Sequence, residues 1–237
     1  NGTLEQKKAA VMAAFQASMT RVNGIYEKSV SLTMVMVDNN DQLIFIDSDS
    51  YSNNSGSAML TQNQTVVDSV IGFNGYDIGH VFSTGGGGVA YLRSPCGNSK
   101  AGGVTGSPSP INDGFNIDYV AHEMGHQYGA THTFNNLCQG NRSNATAVEP
   151  GSGSTIMAYA GICAPNVQNF SDPYFNSVSI NQMYTNIALA SGSSKCAVNT
   201  ENGNNAPVIE ELPITYNMPH STAFELTGVA TDPDGDA

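Results

Sequence analysis

Basic residues are scarce in this chain: eight Lys plus Arg stand against twenty Asp plus Glu, a formal net charge of -12. Such a surface repels a polyanion over most of its area, so no nucleic acid is expected as a partner. No apolar run approaches the length that crosses a bilayer, so no membrane span is expected. The N-terminal stretch NGTLEQKKAAVMAAF lacks a basic region followed by an unbroken apolar core. An export signal is therefore expected to have been removed already, or to lie outside this sequence. Among Cys96, Cys138, Cys163 and Cys196 no pair has C-x-x-C spacing, which excludes a zinc ribbon and a thioredoxin-type site. An even cysteine count without metal spacing, in an acidic chain, reads as two disulfides and a secreted, extracellular protein. Four buried free thiols are the alternative.

What is present suffices for a core, since 40% of the 237 residues are hydrophobic. Leu4, Val11, Phe15, Met19 and Val22 recur at helical spacing, with Asn23-Gly24 as the expected end of that helix. SVSLTMVMVD, residues 29–38, is apolar on both faces and reads as an interior strand. Leu43 to Ile46 is a second apolar run, and a short helix is expected around Thr65 to Ile71. YDIGHVF (76–82) and VAYLR (89–93) read as strands, joined by a flexible turn at Gly85 to Gly88. Asp113 or Asn116 is the expected cap of a helix beginning near Ile117, and Gly129 is placed to end it. About 45 loop-like residues follow His132, a length that implies a functional loop. A last helix is expected over Ile180 to Ala190. From residue 201 a polar linker leads into a segment that resembles the first strands of an Ig-like or cadherin-like β-sandwich cut short.

The chemistry concentrates in His122-Glu123-Met124-Gly125-His126-Gln127-Tyr128-Gly129-Ala130-Thr131-His132. On a helix, His122 and His126 project from one face and can share a metal ion, with zinc the natural partner of paired neutral imidazoles. Glu123, rotated by about 100°, can reach a zinc-bound water as general base without ligating the ion. Gly129 lets the chain turn so that His132 returns as a third ligand. Three protein ligands leave a fourth position open, which marks a catalytic rather than a structural zinc. The full pattern arises by chance in roughly one in 10⁵ chains of this length. Only five histidines are present and three lie in this window.

With Ser154-Thr155-Ile156-Met157-Ala158-Tyr159 downstream, this run resembles the metzincin peptidases, whose H-E-x-x-H-x-x-G-x-x-H is followed by a methionine turn. Gly88 to His132 resembles the adamalysin/reprolysin branch, and its bacterial reprolysin-like members most, over roughly residues 1–200. Thr133 departs from the Asp that adamalysins carry there. The His-Thr-Phe run and the Tyr two residues after the Met are shared with pappalysin-like metzincins, the second choice.

The resemblance implies an α/β (α+β) zincin-like fold: a twisted mixed β-sheet with helices above an active-site helix, then an irregular C-terminal subdomain with the Met-turn. Its catalytic domain would span 1–200, divided at 132–133, with the family's first strand, before the first helix, apparently absent. The resemblance assigns Met157 to the floor beneath the imidazoles. Gly88, Val89, Ala90 and Tyr91 become the edge strand that pairs with an extended substrate, and Asn169 to Phe175 a wall of the pocket beyond the cut bond. It pairs Cys96 with Cys196 and Cys138 with Cys163, one of the three pairings four cysteines allow. Tyr159 matches a tyrosine that astacin- and serralysin-type members use as an extra zinc ligand or oxyanion stabiliser, with plain packing as the alternative. A calcium ion is implied at Asp77, the carbonyl of Cys196 and Asn199.

The expected activity is hydrolysis of peptide bonds in extended protein substrates by a monomeric metalloendopeptidase. A silent zinc-binding adhesion protein and a small-substrate zinc hydrolase are the rivals. Intact Glu123 weighs against the first and the long Gly-rich edge strand against the second. His80 and His220 read as ordinary structural histidines, and Asp232, Asp234 and Asp236 as a solvated turn.

Overall fold

Helix α1, Leu4–Val30, starts at a reciprocal cap: Thr3 Oγ1 accepts from the Gln6 N–H, and Gln6 Oε1 accepts from the Thr3 N–H. It does not stop at Asn23-Gly24 as expected, but continues to a left-handed cap at Ser31, φ 53°. Asn23 is used sideways instead. Its amide donates to the Met34 carbonyl at 2.8 Å and accepts from the Met34 N–H at 3.0 Å, pinning the chain that returns along the helix. The computed structural model describes residues 2–189 and 191–235, in two units, Asn1–Ala197 and Val198–Ala237.

The strand expected over 29–38 forms no ladder. Ser29 and Val30 still belong to α1, and 32–37 belong to no helix or strand. An apolar cavity of about 490 Å³ is lined by both Met34–Val37 and Ile78–Thr84. Leu43, the first residue of the second apolar run, ends a 3₁₀ turn, Asn40–Leu43. Helix α2 spans Gly56–Val70, well before the expected Thr65, because its first half (GSAMLTQNQ) carries few apolar residues to betray it. Ser55 caps it by accepting from the Ala58 N–H.

The sheet in this unit has three short strands: β1 Val81–Ser83, β2 Gly87–Ala90 and β3 Gly103–Gly106. The expected strands at YDIGHVF and VAYLR are thus only partly realised, and β3 (GVTG) carries too little pattern to be anticipated. Their order is β1-β3-β2. β1 runs parallel to β3 with Val81 beside Val104, and β2 antiparallel with Gly88 beside Thr105. This makes the sheet mixed, with β2 at one edge.

Next come α3 (Asp113–Phe115), a π-helical segment (Asn116–Ala121) and α4 (His122–Gln127), in continuous succession. The residue preceding α3 is Asn112, φ 61°, so neither Asp113 nor Asn116 is the cap. Asp113 instead pairs with Arg21 of α1 through two 2.9 Å bonds. Helix α5 covers Ser177–Ile187, capped by Asn176, starting and stopping earlier than expected; Ala190 lies outside the described residues. The stretch between α4 and α5 holds only a 3₁₀ turn, Cys138–Gly140, and a single bridge, Phe134 to Glu149.

The core of this unit draws on α1 (Val22, Ile25, Tyr26), the helix leading to the site (Phe115, Ile117, Val120, Met124), the turn residues Ile156 and Met157, and Met183 of α5. Tyr26 is fully buried, donates its hydroxyl to the Ala121 carbonyl at 2.9 Å, and stacks edge-on with Phe175. The long helix thereby fixes the chain immediately before His122. This is an α+β fold in which helices and a small mixed sheet meet on one histidine-bearing helix.

The second unit holds one antiparallel pair, β4 Val208–Ile209 with β5 Ala230–Thr231, and exposes Ile209, Ile214, Phe224 and Leu226. Asn205 binds Asp234 through its side chain at 2.9 Å. Asp236 is outside the described residues.

Candidate active site

Helical spacing places His122 and His126 one turn apart on α4, with ring centroids 4.8 Å from each other. The helix ends at Tyr128, and Gly129, φ 106°, adopts a backbone conformation that an L side chain would strain. The chain then swings back and brings His132 to the pair. Its Nε2 lies 3.3 Å from that of His122 and 3.1 Å from that of His126.

The far side of each ring decides what these distances mean. His122 Nδ1 faces the Ile156 carbonyl at 2.6 Å, His126 Nδ1 the Ala130 carbonyl at 2.7 Å, and His132 Nδ1 the Asn141 carbonyl at 2.6 Å. A carbonyl can only accept, so each Nδ1 carries the proton and each Nε2 is a bare lone pair. Burial drives the same result: His126 is pushed down to about 4, chiefly by desolvation and then by His132. His122 and His132 are lowered by burial as well. Three bare nitrogens repel one another unless a cation sits among them. Tetrahedral ligation at zinc–nitrogen distances of 2.0–2.1 Å separates ligand nitrogens by about 3.3 Å, which the observed spacings match. These are the only three or more His, Cys, Asp or Glu among the described residues close enough to share an ion.

Glu123 is 6% exposed, and its Oε2 has no hydrogen-bond partner. Desolvation pushes its carboxyl up to about 8, and a divalent ion among the imidazoles would act in the opposite sense. Directly above passes β2. A Cβ on Gly88 would stand 2.3 Å from Glu123 Oε1, so glycine is what lets the edge strand approach the carboxylate this closely.

Met157 is fully buried in the core that backs α4. Tyr159 lies beside the histidines, its ring 4.6 Å from His132, 5.7 Å from His122 and 4.5 Å from Phe134. Burial raises its hydroxyl to about 12, so it stays a neutral donor. Both disulfides have the expected partners, Cys96–Cys196 and Cys138–Cys163. The second begins the turn whose Asn141 carbonyl orients His132. Asp77 and Cys196 lie in the first unit and Asn199 in the second, and the calcium expectation rests on the resemblance alone.

The sequence reading missed the carbonyls of Ile156, Ala130 and Asn141, which no residue type advertises. It also passed over Glu149 and the network around Gln127. Gln127 Oε1 accepts from His80 Nδ1, and its Nε2 donates to the Gly79 carbonyl and Ser94 Oγ, tying α4 to the sheet.

A helix presenting two imidazoles and a carboxylate, a glycine turn returning a third imidazole, and an edge strand overhead define a metzincin-type metallopeptidase. The model of the M12B reprolysin-like metallo-peptidase family matches residues 12–133, just over half of the chain, and the chain belongs to that family of zinc metallopeptidases. No curated protein matches it. No helix among the described residues is long and apolar enough to cross a membrane.

Proposed function

We propose that the chain is a secreted zinc-dependent endopeptidase acting on extended protein substrates. The observation that carries this reading is the convergence of three unprotonated Nε2 atoms beside a buried carboxylate with a free oxygen, under an unpaired strand edge. His122, His126 and His132 would hold the zinc, and a bound zinc would supply the chemistry of a Lewis acid toward water and a scissile carbonyl. Glu123 takes the proton of the attacking water on its free oxygen and returns it to the leaving amine. Tyr159 directs a neutral hydroxyl toward the developing oxyanion. The free edge of β2, Gly88 to Ala90, continued by Tyr91, pairs with the substrate backbone. Asn169 to Phe175 wall the pocket for the side chain after the cut. Two disulfides support an oxidising, extracellular setting.

The test is casein cleavage by wild type and Glu123→Ala, with zinc content measured on both. Loss of about 10²- to 10⁴-fold in rate with zinc retained is expected. Cleavage that survives in the variant overturns Glu123 as the base. Zinc bound by a wild type that cuts nothing overturns the peptidase reading.

A further inference from the structure

Glu149 is 7% exposed, yet the one ion pair among the described residues, Arg21–Asp113, is elsewhere. A buried carboxylate without a counter-cation persists only when hydrogen-bond donors replace its water. Here the donors all come from one short segment. Oε2 accepts from the Ser154 N–H at 2.7 Å and the Thr155 N–H at 3.0 Å, while Oε1 accepts from the Thr155 hydroxyl. Burial alone would raise this carboxyl; these bonds hold it below its ordinary value.

The segment so gripped is the start of the turn that serves the site. One residue further on, the Ile156 carbonyl receives the Nδ1 proton of His122, then Met157 enters the core, then Tyr159 reaches the His132 ring. The backbone of Glu149 is held just as closely to the other side of the site. Its N–H donates to the Thr133 carbonyl at 2.9 Å, next to His132, and the Thr133 N–H donates to the Met157 carbonyl at 3.1 Å. One residue thus links the segment that carries the third imidazole to the turn that orients the first.

We propose that Glu149 is a positioning residue of the metal centre: its carboxylate replaces secondary structure in fixing the Ser154–Tyr159 turn, and so sets the geometry of His122 relative to His132. It touches neither substrate nor metal. The inference rests on the reading of the three imidazoles as a zinc site.

The experiment measures zinc affinity of the full chain by competition with a chromophoric chelator, for wild type, Glu149→Ala and Glu149→Gln. Circular dichroism gives the folded fraction of each. Glu149→Ala leaves two N–H groups, the Thr155 one buried, without an acceptor and should weaken zinc binding about 10- to 100-fold. On zinc-saturated protein it should lower kcat while leaving KM near wild type. Glu149→Gln keeps an acceptor for both N–H groups and an amide that can donate to Thr155 Oγ1, so it should restore affinity to within about threefold. A folded Glu149→Ala with wild-type zinc affinity overturns the proposal, as does a Gln variant no better than Ala. Should Glu149→Ala not fold, Thr155→Val, which removes only the hydroxyl donor, carries the test: weakening by several-fold supports the proposal and unchanged affinity overturns it. A wild type that takes up no zinc overturns the zinc reading and this inference with it, whereas a failure confined to the variants overturns this inference alone.

Discussion

Replacing Gly88 by alanine isolates the contact between β2, the proposed substrate-binding edge, and Glu123, the proposed general base. The added Cβ would stand 2.3 Å from Glu123 Oε1 and 2.6 Å from its Cδ and Cγ, where ordinary contact begins at 3.4 Å. Roughly 1 Å must be found, and a misplacement of that size at a reacting group costs about 10²-fold. β2 yields poorly, because Gly88 sits opposite Thr105 in the ladder and Thr105 is bonded through its hydroxyl to His80. The carboxylate therefore moves, and kcat on a fluorogenic peptide should fall about 100-fold with zinc content unchanged, since no imidazole is touched. Gly86→Ala is the control: its Cβ meets nothing within 4 Å, and its rate should stay within about threefold of wild type. Steady-state kinetics and metal analysis on both variants decide the matter. A Gly88→Ala enzyme with near wild-type kcat refutes the reasoning, and equal losses in the two variants would assign the effect to stiffening of the glycine turn.

Burial pushes His80 down from 6.5 to about 4, so between those values the unfolded chain takes up a proton that the folded chain refuses. Stability is full above pH 6.5 and falls as the pH drops toward 4, by at most about 3 kcal/mol. His80→Asn should flatten the difference between urea unfolding at pH 7 and pH 5, and an unchanged slope would count against it. Met157→Ala empties a fully buried site and should cost about 2–5 kcal/mol in chemical denaturation. Removing Cys138–Cys163, a closure across 25 residues, should cost about 3.5 kcal/mol. It should also weaken zinc binding, because the Asn141 carbonyl that orients His132 loses its anchor; a double Cys→Ser variant with wild-type zinc affinity would show that turn to be self-supporting.

The parts of the molecule legible in its sequence are those where side-chain type and spacing carry the chemistry. His122, Glu123 and His126 owe their arrangement to the helical period, and Gly129 to a positive φ that glycine alone adopts cheaply. The sheet was harder to read. β3 is Gly-Val-Thr-Gly, whose glycines are there for close packing rather than for strand propensity. The apolar run at 29–38 carries a strand pattern, but its first residues belong to α1 and Met34–Val37 line a cavity instead of joining a ladder. Asn23-Gly24 misled because a stop signal counts only when nothing else engages it, and Asn23 is bonded to Met34.

The irregular stretch between α4 and α5 follows from what the imidazoles require. Each needs a backbone carbonyl behind it to fix the Nδ1 proton, yet carbonyls within a helix are already spent on the i→i−4 ladder. His126 finds its acceptor just beyond the helix end, at Ala130. His122 and His132 reach carbonyls that no ladder uses, at Ile156 and Asn141. A regular strand or helix in this region would have withdrawn those acceptors. The chain must therefore hold non-repetitive backbone to hydrogen-bond accuracy, and it does so with a disulfide at Cys138–Cys163, a buried carboxylate at Glu149 and the Thr146 hydroxyl on the His132 carbonyl. The disorder of the pattern in sequence and the order of the metal centre thus have one cause.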